Sequence, residues 1–206
     1  MKYLKDELKL IWVDSFVNLD YGIKSAIYEK VKEYSSIKDG LEENREYLIS
    51  RVCEESFSEL LNSANQVYLQ YVLDNLQTKN ITCVTIDSER YPIKLLETDA
   101  PPLVLYAKGD ISLLEGDLFS IVGSRKSLPI SINLTKDITS ALCEANVTLV
   151  TGIAEGIDET VIKTTLERNG KIISVIAGGF DHVYPSTNQK LIEEIELKGL
   201  AISEYL

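Results

Sequence analysis

The sequence predicts an α/β protein: a parallel sheet with helical crossovers, preceded by an all-helical segment. Three observations carry this. Residues up to about Gln77 show helical periodicity, and no proline occurs before Pro92. From Phe119 onward, short apolar runs of strand length alternate with amphipathic stretches at the spacing of strand–helix–strand units. Two of those runs, FSIVGSR (119–125) and VTGIAEGID (150–158), break at a glycine into small and polar residues. That is how a buried parallel strand delivers its chain to a ligand-facing loop before a helix.

In the first segment the apolar positions are Leu4, Leu8, Ile11 and Trp12, then Ile23, Ile27 and Val31, then a longer run through Leu60, Leu61, Val67, Leu69, Val72, Leu73 and Leu76. Gly22 and Gly40 stand where helix ends are expected. Tyr28, Tyr34, Tyr47, Tyr68 and Tyr71 are read as amphipathic packing residues. A base-stacking platform normally interleaves its aromatics with basic residues, and here acids interleave instead.

After Asn80 the composition shifts to ITCVTI, a β-branched strand, and then to the turn-rich DSERYPIKLLETDAPPLVLYAKGD. Pro92, Pro101 and Pro102 are expected to hold this connector extended, and LVLYA reads as a second short strand added at the edge of the sheet.

The sheet proper follows. Strand 119–123 leads to a helix whose Ile130, Leu134, Ile138, Ala141 and Ala145 fall on one face, with Asn146 as its stop. Strand 147–151 leads to a helix from about Gly156, stopped at Asn169-Gly170. Strand 171–176 ends in Gly178-Gly179, passes FDHVYP and enters a helix opened by the capping box Ser186-x-x-Gln189 and closed at Gly199. Strand 200–203 is last. Right-handed crossovers at this spacing give the Rossmann-like class, so the expected organisation is a helical domain over 1–79 and an α/β domain over 80–206.

Composition narrows the function. The formal charge of −11 opposes broad affinity for nucleic acid, which clusters of Lys and Arg drive. The acidity is spread over both halves, with 9 basic and 14 acidic residues from Ala107 onward. No apolar run approaches a membrane span, and MKYLKDELKL carries acids where a signal peptide has an apolar core, so a cytoplasmic protein is expected. Cys53, Cys83 and Cys143 are far apart and His182 is the sole histidine, which supports neither a zinc site nor a Cys/His nucleophile pair. No catalytic residue, metal or cofactor is assigned.

The candidate site is placed beyond the carboxyl ends of the strands, where loops from neighbouring strands converge and Gly123 and Gly152 come side by side. Backbone N–H groups at Gly123 and Ser124, with the positive end of the following helix, suit a phosphate, and Arg125 and Lys126 add full charges at the rim. The lone glycine matches neither GxGxxG nor GxxxxGK[ST], so neither a dinucleotide fingerprint nor a Walker loop is read here. Taken alone, Gly123 equally permits a tight turn and nothing more.

YPIKLLETDAPPLVLYAKGD, FSIVGSRKSLP, TGIAEGID, VIAGGFDHVYPSTNQKLIEEI and GLAISEY follow one another in the order and spacing of the bacterial DNA-processing proteins of natural transformation. Over about residues 81–206 the chain therefore resembles the DprA/Smf family; the helical N-terminus resembles that family's SAM-like domain in length and position. The resemblance implies an extended Rossmann fold, no catalysis, a single-stranded DNA ligand, delivery to a RecA-type recombinase, and a homodimer. By motif it implies a phosphate-contacting loop over Gly123, Ser124, Arg125, Lys126 and Ser127. It implies a second wall at Gly152, Gly156 and Asp158 and a third at Tyr184, Pro185, Asn188 and Lys190; Glu155, Gly178 and Gly179 are counted with the same site. Asp158 also reads as a structural acid at a helix N-terminus, and Tyr184-Pro185 as a turn under the loop.

Three positions depart from the family pattern. Glu155 stands where the SGxARGxD motif has arginine, Ile162 where a histidine is usual, and the chain stops at SEYL where the family continues through an Arg-rich segment and more strands. The resulting expectation is an incomplete sheet with strand 200–203 or a neighbour as a bare edge, which favours pairing with another chain. The alternative reading is a nucleotide-sensing module of the wider DprA/LOG Rossmann superfamily without DNA binding, in which Glu155 accepts hydrogen bonds from a ribose or base. A LOG-type hydrolase calls for GGxGTxxE, which is absent.

Overall fold

The computed structural model describes residues 3–181 and 188–206. The described chain is mixed α/β and divides into two units, residues 1–104 and 105–206.

The first unit contains helices α1 (Lys5–Asp14), α2 (Tyr21–Val31), α3 (Ile37–Glu43), α4 (Arg45–Ile49), α5 (Glu54–Ser63) and α6 (Gln66–Thr78), strand β1 (Thr82–Thr85) and the single turn α7 (Ile93–Leu96). Trp12 centres its core, fully buried, with the indole N–H donating to both the carbonyl and the hydroxyl of Ser63 at 3.2 Å. The long apolar run expected after Leu60 is two helices, because Asn65 interrupts it: its side chain accepts the Tyr68 amide at 2.9 Å and caps α6. Gly40 is not a helix end. It lies inside α3, where an added Cβ would come within 2.8 Å of the Val31 Cα, so the glycine lets α3 approach α2. The connector is also not wholly extended: Pro92, with φ −61°, sits at the N-cap of α7, a place where a fixed φ and a missing N–H cost nothing.

The second unit is built on strands β2 (Val104–Gly109), β3 (Leu118–Ser120), β4 (Thr148–Thr151), β5 (Ile172–Val175) and β6 (Leu200–Ser203), in the order β2-β6-β5-β4-β3. The last four are mutually parallel, and β2 joins β6 antiparallel. Helices α8 (Pro129–Glu144), α9 (Ile157–Glu167) and α10 (Gln189–Lys198) make the crossovers. Their stops are where the sequence puts them: Asn146 and Asn169 take the left-handed conformation, at φ 59° and 52°, just past α8 and α9. The core joins Leu149 and Ile172 of the sheet to Val161, Ile162, Ile192 and Ile195 of α9 and α10. The Ser186 end of the expected capping box lies outside the described residues; Asn188 occupies the N-cap of α10.

Two expectations are corrected here. Strand 200–203 is not a bare edge, because β6 is bonded by β5 on one side and β2 on the other; the terminal strand of this unit is β3. An apolar stripe ordinarily marks the buried face of a helix, yet Ile130, Leu134, Ile138, Ala141 and Ala145 are all exposed. The inner face of α8 is the opposite one, where Thr135 and Thr139 are buried and Ile132, Leu142 and Cys143 pack against the core.

Candidate functional site

Four parallel strands end on one side of the sheet, and the loops leaving β3, β4 and β5 meet there. Pairing continues past β3 through the Ile121 amide, which donates to the Val150 carbonyl at 2.9 Å. The chain then enters the loop 123–127, which is closed on itself. The Ser124 hydroxyl accepts the Lys126 amide at 3.2 Å and donates to the Lys126 carbonyl at 3.1 Å, while the Ser127 hydroxyl donates to the Ser124 carbonyl at 2.7 Å. Such a loop holds Arg125 and Lys126 outward on a fixed backbone, and both are exposed.

The second loop lies directly on the first. Gly156 has φ +86°, and a Cβ added to it would meet the carbonyl oxygens of Ser124 at 2.4 Å and Arg125 at 2.7 Å. The adjoining Ile157 amide donates to the Ser124 carbonyl at 3.3 Å, and a Cβ at Gly123 would come within 2.6 Å of the Ile157 side chain. Two glycines are therefore required by one close approach of backbone to backbone.

Asp158 pins the loops together. Buried at the start of α9, it accepts the Gly123 amide at 3.3 Å through Oδ1 and the Ala154 amide at 3.4 Å through Oδ2. A Cβ on Gly152 would stand 2.6 Å from the same Oδ2. The charge also sits at the positive end of the helix, which favours it further. The Gly123 amide is thus committed to Asp158 and does not face outward.

The third loop is tied to the second. Asn188, buried, donates from Nδ2 to the Ile153 carbonyl at 2.8 Å, and Ser174 on β5 donates to the Gly152 carbonyl at 2.7 Å. Between the loops lies a cleft of about 420 Å³ lined by Arg125, Gly152, Ile153, Ala154, Asp158, Val175, Ile176, Ala177 and Gly178. Among the expected site residues the structure thus gathers Arg125, Gly152, Asp158 and Gly178 in one cleft, with Gly123, Ser124, Gly156 and Asn188 setting its walls. Lys126, Glu155 and Lys190 are exposed nearby in sequence, Glu155 beside the lining residue Ala154. Gly179 turns away: it is buried with φ +75°, and a Cβ on it would meet the Leu206 carbonyl at 2.9 Å. Tyr184 and Pro185 lie outside the described residues. Ile162, in place of a histidine, is a fully buried core residue. The apolar liners Ile153, Val175 and Ala177 carry no functional signal in the sequence, since as strand-end aliphatics they differ in no way from core residues.

A Rossmann-like sheet with a glycine-walled cleft beyond its parallel strand ends defines the class of the second unit. The family model for DNA recombination-mediator protein A matches residues 82–206, and the chain belongs to that family, the DprA/Smf proteins. It is 34% identical over 149 residues to DNA processing protein DprA of Bacillus subtilis, covering 71% of this chain and 50% of the relative. The X-ray structure of DprA from Streptococcus pneumoniae superposes with a TM-score of 0.75 at 24% identity, over the whole of this chain and 69% of that one. DNA processing protein A from Helicobacter pylori, solved for its single-stranded DNA binding mode, matches with a TM-score of 0.50 at 28% identity, over 61% of this chain and 55% of that one. The chain thus spans half the length of its Bacillus relative.

Proposed function

We propose that this protein binds single-stranded DNA in the cleft above β3, β4 and β5, as a DNA-processing protein that passes the strand to a RecA-type recombinase. The observation that carries the reading is the loop 123–127, whose internal hydrogen bonds hold Arg125 at the mouth of the cleft with Lys126 on the same turn. Family membership and the single-stranded DNA ligand of the Helicobacter relative support it. A cationic side chain on a rigid loop suits a phosphodiester, which is met in every nucleotide step regardless of base.

The reading includes no reaction. Asp158 is spent on two backbone amides. Turnover of a nucleoside monophosphate, lost in Asp158→Asn, would move the protein to the enzymes. The same reading places it in the cytoplasm, where a recombinase works, and gives it a homodimeric state. No described helix is long and apolar enough to cross a membrane.

A second reading is favoured by one residue. Glu155 is exposed beside the cleft where the family resemblance implies arginine, and a carboxylate there repels phosphate but accepts from a ribose or base. The cleft volume also falls within the range of small-ligand pockets, about 300–1,000 Å³. Oligo-dT binding by wild type and Glu155→Arg separates the two. The DNA reading expects the variant to bind more tightly; a nucleotide sensor expects it to lose a nucleotide ligand, since a missing acceptor leaves a donor unpaired.

A further inference from the structure

The first unit holds a cavity larger than the cleft of the second. It lies between α1, α6 and the start of β1, with a volume of about 620 Å³, inside the range of small-ligand sites, about 300–1,000 Å³. Its lining follows from local geometry. Gln70, Leu73 and Gln77 recur at intervals of three and four and so fall on one face of α6. Asn80, in the left-handed conformation at φ 54°, then turns the chain from that helix into β1. Leu8, Leu73, Leu76 and Ile81 form an apolar floor, with Leu76 and Ile81 buried. Tyr3 supplies an aromatic wall: its hydroxyl accepts the Cys83 amide at 3.0 Å, which anchors the ring to β1 across 80 residues of chain. Three carboxamides, Gln70, Gln77 and Asn80, stand exposed at the rim. Among the described residues that line the cavity none is charged, in a chain of which 26% is Asp, Glu, Lys or Arg.

We propose that this cavity binds an adenine base. A phosphate or carboxylate meets no counter-charge here, so the ligand group is neutral. A ring fixed beside an apolar floor is a surface on which a base stacks. A carboxamide presents a donor and an acceptor side by side, the pattern that matches N6 and N7 of adenine; guanine shows two acceptors on that edge and calls for Arg or Lys, which the lining lacks. The base arrives on a free nucleoside or on a single strand. The inference goes beyond the reading of the cleft and does not depend on it, because the cleft offers a cation to phosphates and this cavity offers none.

The test is saturation-transfer NMR with millimolar adenosine on the full chain, for wild type, Gln77→Leu, Leu73→Trp and Arg125→Ala, with circular dichroism to establish folding. Gln77→Leu removes a rim amide from an exposed helical position, and Leu73→Trp fills the cavity. The proposal expects transfer to the adenine ring protons in wild type, a fall of at least about five-fold in both cavity variants, and no change in Arg125→Ala. Affinity for oligo-dA separates the two sources. A matching loss in the cavity variants makes the strand the source of the base, and an unchanged affinity beside lost adenosine transfer makes it the free nucleoside. Adenosine transfer that is equal in the folded cavity variants, or that disappears in Arg125→Ala, overturns the site. So does the absence of any adenosine transfer together with unchanged oligo-dA affinity in both cavity variants. Guanosine transfer as strong as that of adenosine overturns the choice of base.

Discussion

Asp158 accepts the amide of Gly123 at 3.3 Å across a separation of 35 residues, and this bond joins the loop after β3 to the start of α9. The other carboxylate oxygen takes the Ala154 amide at 3.4 Å. One buried acid therefore fixes the mutual position of two of the three cleft walls.

Asp158→Ala should accordingly lower both stability and ligand affinity. It leaves two partly buried amides without their acceptor, at a cost of about 1–3 kcal/mol. Asp158→Asn keeps one acceptor oxygen and should be milder. Urea unfolding of the two variants checks the order; equal midpoints for Ala and wild type would show that the pin carries no weight.

Gly156→Ala tests the close approach of the loops. Its φ of +86° is costly for any residue with a Cβ, and the added carbon would meet the Ser124 carbonyl at 2.4 Å. We expect a loss of at least about 1 kcal/mol from the backbone conformation alone, with displacement of the 123–127 loop and weaker binding. A variant with the wild-type melting temperature would mean that the loops are not in contact.

The thiols and phenols of the first unit give a pH dependence. Burial pushes the Cys83 thiol and the Tyr3 hydroxyl up to about 12, and burial with the hydrogen bond to Asp87 raises Tyr28. In each case the folded chain holds its proton more tightly than the unfolded chain, whose thiol and phenol titrate near roughly 8.5 and 10. The unfolded state binds fewer protons above those values, so stability must fall as pH rises. The urea midpoint should decline between pH 9 and 11, and Cys83→Ala should remove the lower part of that decline. Cys53, exposed and with its thiol lowered by hydrogen bonds to the Ser56 hydroxyl and amide, should react with a thiol reagent ahead of Cys83.

What could be read from the sequence followed the strength of local signals. Strand 200–203 was legible to the residue, and Asn146 and Asn169 were legible as stops because each sits after an apolar period in a position that favours the left-handed conformation. Gly40 and the α8 stripe were misleading for a shared reason. A glycine inside a helix answers to the helix packed against it, and the face that a helix turns inward is set by the elements around it, whereas periodicity knows only the helix itself. The same holds for the bare edge: that β6 is interior depends on β2 returning antiparallel from far upstream in the chain. At the cleft, the turns at Gly123, Gly152 and Gly156 were visible as breaks in apolar runs. Val175 and Ala177 carry no chemical mark, and the bond from Asn188 to Ile153 spans 35 residues.

On the DNA-binding reading proposed above, Arg125, Lys126 and Lys190 meet the phosphates of single-stranded DNA, and oligo-dT binding across a salt series is the decisive measurement. With about three phosphates neutralised, the logarithm of affinity should fall against the logarithm of salt with a slope near −2, from the roughly −0.7 expected per phosphate on single strands. Arg125→Ala should nearly abolish binding and flatten the slope by about one phosphate's share. No binding by the wild type at low salt, or an Arg125→Ala variant with unchanged affinity and slope, would contradict the account.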